Sequence, residues 1–276
     1  MTHPSFCVLA SGSSGNCSAL CLPGGGVLMI DLGLSPRRTL AALDAAGIAH
    51  EPVLGVLVTH LDSDHFNPGW AGVEPLRRLG TPTLHLHRAH LGRARREGFL
   101  YSRAQPFDDG FSPAPGVRAE PFLGDHDQLG VCSFRIECDG GGTMGFATDL
   151  GRATDPLCDH LAGVDVLAIE SNYCPKLQEA SPRPAFLKRR IMGGRGHLSN
   201  HECAQAVRRI APASHVVLIH LSRQCNTPEL AKAPHADAPY TLTISRHDTP
   251  TPWIRLTPGG AAPKARSTTR QPMLWA

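Results

Sequence analysis

Thr59-His60-Leu61-Asp62-Ser63-Asp64-His65 follows directly on the apolar run Val53-Leu54-Gly55-Val56-Leu57-Val58. A Val- and Leu-rich run broken by a polar cluster reads as a buried strand that ends in a loop. Two histidines and two aspartates fall within six residues of that loop. A rigid strand fixes where the loop starts, so its side chains can converge on one point. Imidazole and carboxylate together suit zinc, manganese or iron. Two metals need more than four ligands, so other segments are expected to supply the rest.

Working outward, the same setting recurs. His126 follows the apolar stretch from Val117 to Leu123, Asp149 follows Thr143 to Ala147, and His220 follows His215 to Ile219. A single histidine after a strand is more often a hydrogen-bonded loop residue. Their joint occurrence with His60, Asp62, Asp64 and His65 favours a bound metal. Strands are also expected at Cys7–Ala10, Cys17–Leu22 and Val27–Asp31, where Gly24-Gly25-Gly26 makes a hairpin turn and favours antiparallel pairing. Further strands are expected at Thr83–His87, Val131–Cys138 and Val164–Ile169, the last running into Glu170. Ser35-Pro36 opens a helix that buries Leu40, Leu43 and Ala46 and stops at Gly47. A basic helix is expected from Arg88 to Glu97, and another helix from Asn200 to Ile210 behind a Ser199 cap. Strands in two groups with helices between them suggest two packed sheets with helices outside.

Composition excludes several classes. With 41% hydrophobic and 18% charged residues over 276 positions, disorder throughout is excluded. No apolar stretch reaches about 18 residues, so no membrane span is expected. The start, Met1-Thr2-His3-Pro4-Ser5, lacks a basic region followed by an apolar one, which points to the cytoplasm. Nine cysteines, an odd count without C-x-x-C spacing, fit reduced thiols there. His3, His50, His235 and His247 read as solvated loop residues, and a net charge of +3 permits an anionic substrate. The stretch 259–276, rich in Gly, Ala, Pro and basic residues, is expected to be a disordered tail behind a domain of residues 1–258.

Seven segments now stand in order: Leu9-Ala10-Ser11-Gly12-Ser13-Ser14-Gly15-Asn16, the His60 loop, Gly124-Asp125-His126-Asp127, Ala147-Thr148-Asp149-Leu150-Gly151, Glu170-Ser171-Asn172, Gly196-His197-Leu198-Ser199-Asn200 and His220-Leu221-Ser222. Together they resemble the metallo-β-lactamase-fold hydrolases, whose H-x-H-x-D-H motif the loop matches except at its second ligand. The chain looks most like the small stand-alone bacterial branch with nuclease activity, related to the tRNA 3′-processing endonucleases. The resemblance implies an α/β fold, a four-layered αββα sandwich with the metal site on one edge.

Carried over residue by residue, the resemblance implies two divalent ions. His60, the residue at 62, His126 and Asp149 would hold the first. Asp64, His65, Asp149 and His220 would hold the second, with Asp149 bridging. Asp62 stands where the family usually has His; an added carboxylate shifts preference from zinc towards manganese or iron. Two metals about 3.5–4 Å apart lower the pKa of a shared water until hydroxide attacks phosphorus. Asp64 would also orient that nucleophile. His197 is the expected proton donor to the leaving oxygen, and Glu170 its carboxylate partner. The family has His-Asp after Glu-Ser-Asn, where this chain has Tyr173-Cys174, a change expected to alter the substrate pocket. Asp31 reads as a structural partner of the metal loop, and Ser11 to Asn16 as a tight turn under the site.

Lys188, Arg189, Arg190 and Arg195 immediately precede His197, which favours contact with a phosphate backbone. The Arg88, Arg93, Arg95 and Arg96 cluster reads equally well as a solvated helix face. The expected function is therefore a metal-dependent phosphodiesterase or nuclease acting on DNA or RNA. A thioester or lactone hydrolase is the alternative on the same fold, and a non-enzymatic metal or nucleic-acid binding module ranks below both.

Overall fold

Side chains alternate between two apolar layers along nearly every central strand, and two stacked sheets result. The computed structural model describes residues 2–125 and 128–259. The first sheet takes β1 (Ser5–Ala10), β2 (Cys17–Cys21), β3 (Val27–Ile30), β4 (Val53–Val58), β5 (Thr83–His87) and β6 (Ala104–Phe107) in chain order. The second takes β7 (Phe111–Ala114), β8 (Val117–Gly124), β9 (Val131–Cys138), β10 (Thr143–Ala147), β11 (Val166–Glu170), β12 (His215–Ile219) and β13 (Thr241–Ile244), while β14 (Ile254–Arg255) returns to flank β1. Each sheet begins antiparallel and turns parallel, at β3–β4 in the first and at β10–β11 in the second. The two halves share a topology that no sequence repeat betrays.

Between the sheets, Phe6, Val8, Leu28, Ile30 and Leu57 meet Phe134, Ile136, Phe146, Val166 and Val217. Their neighbours Cys7, Leu9, Met29 and Val56 point outward to α1 (Pro36–Ala45), α2 (Val73–Leu76) and α3 (Leu91–Arg96), through Leu43, Leu76 and Ala94. On the far side Leu167, Ile169, Val216 and Leu218 pack against α4 (Asp155–His160) and, after α5 (Pro175–Ala180) and α6 (Ala185–Arg190), α7 (Asn200–Ile210). The layers are α, β, β, α. Burying one Leu, Ile, Val or Phe contributes roughly 1.5–3 kcal/mol. A one-residue slip would send every such side chain to the wrong layer, so the pattern fixes the register that aims the site.

Local expectations fare unevenly. The N-terminal strands pair antiparallel, as the glycine turn suggests. Ser199 makes a full capping box with Glu202, whereas Ser35 occupies the cap of α1 without a side-chain capping bond. The basic helix divides: Arg88–His90 forms a 3₁₀ turn, opened by the His87 ring accepting from the Ala89 amide, before α3 begins. His50 is exposed, but His235 is buried, contrary to expectation, because its Nδ1 reaches the Tyr240 hydroxyl at 2.6 Å. All nine cysteines are unpaired, and no helix among the described residues is long and apolar enough to cross a membrane. Of the expected tail, Gly259 donates its amide to Asp165, and residues 260–276 lie outside the described residues.

Candidate metal centre and its cleft

Parallel strands gather their carboxyl ends on one edge, and ligands bind in the crevice there. Asp31 follows β3, the His60 loop follows β4, Asp149 follows β10, Glu170 ends β11 and His220 follows β12. Asp31, Asp149 and His220 sit in the left-handed region, at φ 62°, 50° and 56°. Each such non-glycine conformation costs about 1–3 kcal/mol and persists only where the surroundings hold it. Here it turns the side chain off the strand, of Asp149 and His220 into the crevice and of Asp31 onto the loop beneath it.

Asp31 organises the first sheet's share of the site. It is wholly buried, and its carboxylate accepts from the Thr59 amide (2.8 Å), the Thr59 hydroxyl (2.8 Å) and His65 Nδ1 (2.7 Å). Thr59 Oγ1 in turn lies 3.0 Å from His60 Nδ1, so one carboxylate orients both imidazoles. The loop itself is clamped from below. Gly33 carries no side chain because a Cβ would strike the Asp64 carbonyl, and the Asn16 amide donates to that same carbonyl at 2.7 Å. The Ser11–Asn16 turn reaches the other sheet too, since the His220 amide donates to Ser11 Oγ at 2.8 Å.

The outward nitrogens and the carboxylates converge. Asp149 Oδ2 is 3.2 Å from both His60 Nε2 and His65 Nε2, and its Oδ1 is 2.6 Å from His220 Nδ1. Asp64 Oδ2 is 3.5 Å from His220 Nε2 and 3.9 Å from His65 Nε2. Ligand atoms of Asp64, His65, Asp149 and His220 all lie within 4.8 Å of one another. Burial alone would push the imidazoles down and the carboxylates up. The opposite charges win: Asp149 and Asp31 raise His65 to about 10, and His220 and His65 hold Asp64 down at about 2. His220 is likewise raised and Asp149 lowered. A pocket this strongly disposed to hold positive charge, with His220 Nε2 buried and, among the described residues, no closer to a partner than 3.5 Å from Asp64, fits a divalent cation. Two imidazoles and two carboxylates form a donor set that such an ion accepts.

Asp62 sits differently. Its Oδ2 is 3.7 Å from His60 Nε2, but its Oδ1 accepts from Arg93 Nη1 at 2.7 Å. Arg93 had no distinguishing mark in the sequence beyond a basic run. His126 lies outside the described residues. His90, which sequence reasoning passed over, is buried beside this corner with neither ring nitrogen hydrogen-bonded among the described residues, and burial pushes it down to about 3.

His197 and Glu170 meet. His197 Nδ1 lies 2.6 Å from Glu170 Oε1, and the Leu150 amide (2.7 Å) and Leu198 amide (3.3 Å) fix the other carboxylate oxygen. Burial opposes charge on this imidazole, yet Glu170 outweighs it and raises the His197 pKa. His197 faces a cleft of ≈ 290 Å³ whose other walls include Asp64, Asp149, His220, Arg183, Arg190 and Ile191. Arg190 is thus at the cleft, whereas Lys188, Arg189 and Arg195 do not line it; Lys188 Nζ donates instead to the Glu179 carbonyl. Arg183, missed in the sequence, is held there by Gln178 (3.1 Å) and Gln224 (3.2 Å). Its only sequence signal was a lone arginine between two prolines. Tyr173, at the departure after Glu-Ser-Asn, is buried and packs with Ile191 and Cys225 under the cleft wall.

The chain is similar to known proteins in both sequence and fold. The β-lactamase superfamily domain matches residues 28–221. The exodeoxyribonuclease YycJ of Bacillus anthracis is 28% identical over 241 residues, covering 82% of this chain and 86% of its own length. The exodeoxyribonuclease WalJ of Streptococcus pneumoniae is 28% identical over 233 residues, covering 82% of this chain and 84% of its own. In three dimensions the chain is similar to YhfI of Bacillus subtilis, a metallo-β-lactamase fold protein, with a TM-score of 0.65 at 15% identity over 90% of this chain and 99% of that one.

Proposed function

The chain belongs to the β-lactamase superfamily, and on that footing we propose that it is a metal-dependent phosphodiester hydrolase acting on DNA. The observation that carries the reading is the His197–Glu170 pair at 2.6 Å, set beside the imidazole and carboxylate cluster in an arginine-lined cleft. A thiolate leaves without a proton, so a thioester hydrolase has no use for that pair; an alkoxide leaving from phosphorus does. The names of the two exodeoxyribonuclease relatives support DNA over RNA.

Asp64, His65, Asp149 and His220 would hold a divalent ion, and His60 with Asp62 flank a second position. Bound there, the ion supplies Lewis acidity towards water and phosphate oxygen. The chain's own residues do the rest. Asp64, a quarter exposed at the cleft floor, orients the attacking water. Arg183 and Arg190 take phosphate oxygens, with Arg183 pre-positioned by its two glutamines. Leu187 and Ile191 offer an apolar wall to a sugar or base. His197 gives the proton from Nε2 to the departing oxygen, while Glu170 fixes the ring and favours its protonated form. With two carboxylates and two imidazoles, manganese or iron suits the centre as well as zinc does. Both sheets share one apolar layer, which supports residues 1–258 acting as a single hydrolase domain. Nine unpaired thiols support a reducing, cytoplasmic setting.

The test is metal-reconstituted protein assayed on 5′-labelled DNA, RNA and a thioester, with His197→Ala beside the parent. DNA cleavage is expected, with kcat falling about 10²–10⁴-fold in the variant. A nitrophenyl phosphodiester, whose leaving group needs no proton, should lose far less. Turnover of the thioester alone, or equal losses on both phosphodiesters, would overturn the assignment.

A further inference from the structure

We propose that Arg93 gates a second metal position: with its guanidinium on Asp62, the chain binds one divalent ion tightly, on Asp64, His65, Asp149 and His220, and another only weakly beside His60. The inference rests on the reading of the cluster as a metal centre.

Three observations carry it. First, Asp62 replaces the imidazole that the resemblance implies at this position. A neutral ring offers a guanidinium no counter-charge, whereas a carboxylate does. Second, Arg93 is held from two sides: Nη1 is 2.7 Å from Asp62 Oδ1, and Nε is 2.8 Å from Glu97 Oε1 one helical turn on. A planar fork placed this way loses little freedom per bond formed. Third, the partners of Asp62 and Asp64 differ by one fixed cation. Both face imidazoles, Asp62 that of His60 at 3.7 Å and Asp64 those of His65 and His220 at 3.9 and 3.5 Å. Asp62 also contacts a guanidinium, which cannot be deprotonated in a protein. An ion beside His60 must therefore share Asp62 with a fixed cation or displace it, and must meet that cation's repulsion. Both partners are about one-third exposed, at 30% and 34%, so solvent screens the pair and the second position is weakened, not abolished.

Equilibrium dialysis of the full chain against manganese and against zinc, with metal per chain measured directly, tests the proposal without any assay of turnover. The parent should take up one equivalent at low free metal and the second only at concentrations at least about tenfold higher. In Arg93→Gln the second step should tighten by about tenfold or more while the first stays in place. Adding Asp62→Asn to Arg93→Gln should abolish that gain, because the released carboxylate is then missing; a gain that survives would trace to general charge and overturn the gate. Two equally tight equivalents in the parent would also overturn it, whether or not the variants fold. A parent that binds neither metal would instead overturn the metal reading beneath it.

Discussion

The inner and outer halves of the cleft hold their charges by different means. Inside, Asp31, His65, Asp149, Glu170 and His220 are buried, and each has two or more partners at strand ends. Outside, Asp62, Arg93, Arg183 and Arg190 are at least partly exposed and reach their partners from loops and short helices. Asp62 and Asp64 are two positions apart in one loop and both partly exposed, at 34% and 25%, yet Asp64 turns to His65 and His220 of the inner half while Asp62 also holds Arg93 of the outer. The difference teaches that motif spacing alone does not set what a carboxylate faces; the partners that other segments bring to it do.

The strongest test of the inner half is Asp149→Asn. Asparagine tolerates the left-handed backbone that Asp149 adopts at φ 50°, so the fold is kept while the charge facing three imidazoles is lost. Metal affinity should fall by more than about 100-fold, beyond what supporting residues contribute. Metal content after dialysis measures it, and a variant that retains stoichiometric metal would break the division between halves.

Asp31→Asn should do less. Its carboxylate touches no cleft, yet it receives three hydrogen bonds and steers two imidazoles. The amide keeps the backbone at φ 62° but presents a donor where an acceptor is needed. A loss of about 10–100-fold in metal affinity is expected, with turnover restored by excess metal. Turnover that stays low at saturating metal would mean that Asp31 does more than position.

The sequence made the inner half legible and the outer half largely not. Apolar runs mark strands, strand ends mark the crevice, and the charged residues found there are the ones that converge. Asp31 was readable as a support for the same reason. Arg93 on Asp62 and Arg183 between Gln178 and Gln224 were not readable, because each joins segments separated by a helix or loop whose path no periodicity encodes. The basic run before His197 looked uniform, yet α6 spreads Lys188, Arg189 and Arg190 around its axis, the turn Ile191–Arg195, with Gly194 at φ 76°, sets Arg195 apart, and only Arg190 faces the cleft. The strands β6 and β7 escaped for a related reason: Pro106 and Pro113 interrupt short stretches that lack alternation.

That dispersal sets the smallest expected effect. Arg189 and Arg190 are adjacent, carry the same charge and are both exposed, but only Arg190 lines the cleft. If the outer half works by contact, Arg190→Ala should remove one phosphate neutralisation. The slope of log affinity against log salt should then become shallower by about 0.7–0.9, depending on whether the DNA is single- or double-stranded. KM on DNA should rise several-fold with kcat little changed, because the arginine binds substrate and transition state alike. Arg189→Ala should leave both the slope and KM near the parent values. Its charge still contributes to the long-range field, which steers association but is screened beyond about 8–10 Å at moderate salt. Measured together across a salt series, the two variants separate contact from field. Equal shifts would mean that the outer half acts as a diffuse basic surface, and the cleft wall around Arg190 would lose its special place.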